Sequence, residues 1–137
     1  MFEKLEVESL PGNSPFVVIE GCPRSGTYLL TTLLVDHRLV AIPLETQFIP
    51  LFERILFLFG DLQKRANRQR LLRAIYDFLK IWTPRSEPQR FDDRLKPYSL
   101  LITEPHADEI IDAAQTYSEL VEAIYRGFAR HHGLERF

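Results

Sequence analysis

The residues of this 137-residue chain that could do chemistry gather near its start. Gly21, Cys22, Pro23, Arg24, Ser25 and Gly26 follow an apolar run and precede a helical pattern. Two glycines five positions apart, between a strand and a helix, are the layout of a phosphate-gripping turn. The glycines let the backbone curl tightly, and successive N–H groups then point into one concavity. The helix that starts there adds unpaired N–H groups and the positive end of its dipole. An oxyanion fits such a seat without a metal. The next two residues choose among phosphate chemistries. Nucleotide hydrolysis wants Lys, then Ser or Thr, to reach the terminal phosphates and hold Mg²⁺. Here the positions are Thr27 and Tyr28. Neither supplies an ammonium, and a phenol is a poor magnesium ligand, so hydrolysis of ATP or GTP and a nucleotide-kinase reaction are disfavoured. The cation of the turn is Arg24, which can face a group leaving or arriving at a phosphate.

The elements that must position this turn can be read from periodicity. Residues 16–19 are continuously apolar and β-branched, as in a strand buried on both faces of a parallel sheet. From Thr27 to Val35 the pattern turns helical through Leu29, Leu30, Leu33 and Leu34, and a second short strand is expected at 39–42, stopped by Pro43. The remainder reads as mostly helical: 47–58, with Pro50 in its first turn, 63–81, and 116–131. Lys64, Arg65, Arg68, Arg70 and Arg73 line one side of the second of these helices, a pattern typical of a solvated face. A polar linker with turns at Pro84, Pro88 and Pro97 is expected at 83–98, and a third strand at 100–103. Thr116 and Glu119 fit a capping box, and Gly133 suits the position just past the last helix.

Composition sets further bounds. Apolar residues make up 45% of the chain and aromatic residues 12%, which supports a packed core. The net charge of −2 provides no domain-wide basic field, which argues against a nucleic-acid partner. The single cysteine, Cys22, rules out an internal disulfide, and residues 1–10 are too charged for a secretory signal, so a reducing, cytoplasmic setting is the reading. The most apolar run, 48–59, is too short to span a bilayer and holds Glu53 and Arg54. It reads as a core helix, with a membrane-surface helix as the alternative.

The stretch from Val18 to Thr27 resembles the 5′-phosphosulfate-binding loop of sulfotransferases. Its Pro-Arg-Ser-Gly-Thr wording is similar to the branch that includes the tyrosylprotein sulfotransferases. The resemblance runs on through Leu29, Leu30, Leu33, Leu34 and His37 to Pro43, Leu44, Glu45 and Thr46, with Glu45 standing 21 positions after Arg24. It is strong over 16–49 and fades beyond. Tyr28 departs from the usual Thr, and Arg38 from the usual Pro after the His.

What the resemblance implies is transfer of a sulfuryl group from 3′-phosphoadenosine-5′-phosphosulfate to an acceptor hydroxyl or amine on a small molecule, peptide or glycan. Pro23, Arg24, Ser25, Gly26, Thr27 and Tyr28 would form the donor seat. Arg24 would stabilise the bridging oxygen, and Glu45 would take the acceptor's proton; no metal is implied. Each role has a plainer rival: a ligand-free strand–helix turn, a surface ion pair for Arg24, and a helix-start carboxylate for Glu45. A non-catalytic nucleotide- or partner-binding module is the alternative function. His131 and His132 are adjacent on a helix and point apart, so they make a poor metal pair. Cys22 has no evident cationic partner and reads as a packing residue.

The expected fold is therefore α/β: a P-loop parallel sheet, incomplete, with a mostly helical C-terminal part. The chain reads as a single domain, with 15–46 as the phosphate-loop unit and 47–137 as the helical region. In the family the donor's 3′-phosphate is held by an Arg and a Ser on a later strand–helix segment, and none is found between Thr116 and Phe137. The expectation is a truncated or split domain, inactive alone, with exposed apolar faces on helices 63–81 and 116–131 that invite self-association or await a C-terminal part.

Overall fold

The computed structural model describes residues 19, 21–22, 25–34, 41–43, 47–86 and 104–134. Five α-helices lie among them: α1 (Thr27–Leu34), α2 (Phe48–Arg54), α3 (Arg65–Ser86), α4 (Glu104–Ala113) and α5 (Tyr117–His131), with a 3₁₀ turn at Leu56–Phe59 after α2.

The core lies where α2, α3, α4 and α5 meet. Phe48 and Phe52 come from α2, Leu71, Leu72, Ile75 and Leu79 from α3, Ile110 and Ile111 from α4, and Leu120, Val121, Ile124 and Phe128 from α5. In α2, α3 and α5 these residues recur at intervals of three and four, which puts a stripe on one side of each helix. Phe48, Leu71, Ile75, Leu79 and Leu120 are fully buried, and each such side chain stabilises the fold by about 1.5–3 kcal/mol. Phe52 meets Phe78 edge to face at 5.8 Å. The Tyr117 hydroxyl donates to the Ile49 carbonyl at 2.8 Å, tying α5 to α2, and burial pushes the phenol above its ordinary pKa.

This architecture corrects the parallel-sheet α/β expectation. No strand is present among the described residues, and they form a helical unit. Ile19 and residues 41–42, the described parts of the first two expected strands, carry no ladder, and Ala41 is buried in the helical core instead. The helical stripes bury one another, so their apolar faces need no sheet to cover them. Residues 16–18, 39–40 and 100–103 lie outside the described residues. The faces expected to stay open on 63–81 and 116–131 are closed in this core. Large apolar side chains stay exposed elsewhere: Leu29, Leu30 and Leu33 on α1, Leu51 on α2, Phe57 and Leu58 in the 3₁₀ turn, and Ile81 on α3.

Boundaries follow local chemistry. The expected helix at 47–58 stops at Ile55, whose N–H turns back to the Phe52 carbonyl at 3.2 Å and starts the 3₁₀ turn. Asp61 holds the approach to α3, accepting from Gln63 N–H through its carboxylate and from Lys64 N–H through its carbonyl. α3 runs through Pro84 to Ser86, so the expected linker begins later than Thr83. α4 was not anticipated; Pro105 falls in its first turn, where the missing N–H is tolerated. The capping box forms at α5, with Thr116 Oγ1 accepting from Glu119 N–H and the Glu119 carboxylate accepting from Thr116 N–H. Its other end closes as a Schellman turn, Leu134 N–H to Ala129 O at 2.9 Å and Gly133 N–H to Arg130 O at 3.0 Å.

Candidate functional site

The described residues just ahead of α1 are Gly21, Cys22, Ser25 and Gly26. Ser25 N–H donates to the Cys22 carbonyl at 3.0 Å, which closes a tight turn. Gly26 then adopts φ +91°, a conformation that side-chain-bearing residues rarely take, and its carbonyl accepts the first helical bond from Leu30 N–H at 3.0 Å. By helix geometry the N–H groups of Thr27, Tyr28 and Leu29 have no acceptor within α1. Thr31 Oγ1 donates back to the Thr27 carbonyl at 3.0 Å, a bond within the first turn of the helix.

The two glycines serve different ends. A Cβ on Gly21 would stand 2.5 Å from Ser25 Oγ and 2.6 Å from Thr27 Cγ2, so the turn folds against the bare Cα. A Cβ on Gly26 would meet nothing within 4 Å, so the space in front of it is open. Gly21, Cys22, Ser25 and Gly26 are all solvent-exposed. The arrangement can present backbone N–H groups and a helix N-terminus to an anion arriving from solvent.

The structure brings together Gly21, Cys22, Ser25, Gly26 and Thr27, together with the Tyr28 backbone. Pro23, Arg24 and Glu45 lie outside the described residues. The chain enters α2 through Gln47, two positions after Glu45, with a left-handed backbone (φ 52°, ψ −6°). Such a conformation is uncommon for a residue with a side chain, and periodicity gave no sign of it. Cys22 is exposed, not a packing residue. Among the described residues no cluster of three His, Cys, Asp or Glu side chains could hold a metal, and no helix is long and apolar enough to cross a membrane. The rings of His131 and His132 stand perpendicular, and His132 packs on Phe128 at 4.6 Å.

Two cations of the supposed solvated face have structural partners. Arg65 reaches Asp108 at 2.7 Å and Asp112 at 2.8 Å. Hydrogen bonding from Arg65 holds the Asp112 carboxyl below its usual range. Arg68 is buried and donates to the carbonyls of Ile111, Leu62 and Gln63.

Comparison with known proteins matches residues 15–137 to the model of the sulfotransferase family. The matched range includes both the turn at 21–27 and the helices that follow it. Neither a curated protein nor a solved structure gives a significant match.

Proposed function

The chain belongs to the sulfotransferase family, and from that premise we propose that its turn at 21–27 seats the 5′-phosphate of 3′-phosphoadenosine-5′-phosphosulfate for sulfuryl transfer to an acceptor hydroxyl or amine. The observation that carries this reading is Gly26: a left-handed backbone at the head of α1 with open space in front of it. The N–H groups of Gly26 and Thr27 and the Thr27 hydroxyl hold the phosphate, with the dipole of α1 behind them, while the Ser25 N–H is turned to the Cys22 carbonyl.

In the reaction the acceptor oxygen or nitrogen attacks sulfur in line. A bond forms between acceptor and sulfur as the bond from sulfur to the bridging phosphate oxygen breaks. Arg24 stabilises the charge that grows on that oxygen, and Glu45 takes the acceptor's proton. Positioning and charge stabilisation supply most of the rate, as in phosphoryl transfer.

Calorimetry with 3′-phosphoadenosine-5′-phosphate, followed by transfer from labelled donor to a panel of phenols, sugars and amines, tests the proposal. Saturable binding that is indifferent to Mg²⁺ is expected, and transfer to one acceptor class would establish the enzyme reading. Binding without transfer to any acceptor would favour the non-catalytic module. Absence of binding would overturn the donor site, and strict Mg²⁺ dependence would point to a kinase-like reaction. Turnover by residues 1–137 alone would mean that this chain supplies its own contacts to the 3′-phosphate.

A further inference from the structure

We draw no further inference here: the strongest candidate, the exposed leucine face of α1 formed by Leu29, Leu30 and Leu33, is an unpartnered apolar surface, and nothing in the structure shows what covers it.

Discussion

Ser25 folds over Gly21 so closely that a Cβ on the glycine would stand 2.5 Å from the serine Oγ. Thr27 Cγ2 crowds the same point at 2.6 Å. The serine hydroxyl can rotate away at little cost. The threonine is β-branched and stiff at χ1, at the first position of α1, so relief must come from moving the helix start.

Gly21→Ala should therefore weaken donor binding, although residue 21 need not touch the donor. Losing one charge-assisted hydrogen bond costs about 1.5–3 kcal/mol, or about 10- to 100-fold in affinity. Calorimetry with 3′-phosphoadenosine-5′-phosphate reads the loss, and a thermal melt should stay near that of the parent because the α2–α5 core does not use Gly21. An unchanged affinity would show that the shape of this turn does not set binding.

Gly26 separates strain from obstruction. Any side chain there meets the unfavourable φ of +91°, at a cost of about 1–3 kcal/mol. The space beyond is open, so alanine and valine differ mainly in how far they project into it. Gly26→Ala should reduce donor affinity, and Gly26→Val should abolish measurable binding. Equal losses in the two variants would assign the effect to backbone strain and remove the case for a phosphate in that space.

Much of this was legible because local rules needed only neighbouring residues. The start of α1 at Thr27, the Thr116–Glu119 capping box and the Gly133 turn depend on residues within a few positions. α4 was missed because its apolar signal is short and Pro105 suggests a break, although a proline in a first turn costs little. The role of Arg68 was hidden for another reason. Periodicity groups it with Arg65, Arg70 and Arg73, but a long side chain can lie along one helix and reach a carbonyl on the next. The sheet expectation failed because short apolar runs such as 39–42 do not distinguish a strand from a segment packed on helices. The close fit at Gly21 depends on side-chain positions that no spacing reveals.

The two arginines at the α3–α4 contact should differ sharply when replaced. Arg68 is 8% exposed and makes bonds of 3.0, 2.6 and 2.9 Å to the carbonyls of Ile111, Leu62 and Gln63. Arg68→Met strands these acceptors, and a loss of about 2–4 kcal/mol is expected, seen as a melting temperature lower by roughly 10 °C. Arg65 is exposed and solvent screens its two ion pairs, so Arg65→Gln should shift the melt far less. Comparable shifts would contradict the assignment of Arg68 as the structural anchor.

Acid should loosen the helical unit through Glu119. Its carboxylate accepts from Gln115 N–H at 2.7 Å and from Thr116 N–H at 3.0 Å, and these bonds hold its pKa below the ordinary 4.5. A carboxyl with a depressed folded pKa adds stability that is present above the unfolded value and lost as pH falls through the folded one. Asp112, whose carboxyl is held low by its hydrogen bond from Arg65, acts in the same direction. The melting temperature should therefore be steady near neutrality and fall as pH drops below about 4.5. Glu119→Gln keeps an oxygen that can accept these bonds but cannot titrate, so its curve should be shallower over the same range. Thr116→Ala, which removes the other half of the capping box, should cost about 1 kcal/mol at neutral pH. It should leave the acid slope largely in place, because Gln115 N–H and Thr116 N–H still meet the carboxylate. Melts at intervals from pH 7 to pH 3 on the parent and both variants make the comparison, and an identical slope in the parent and Glu119→Gln would remove Glu119 as a source of acid sensitivity.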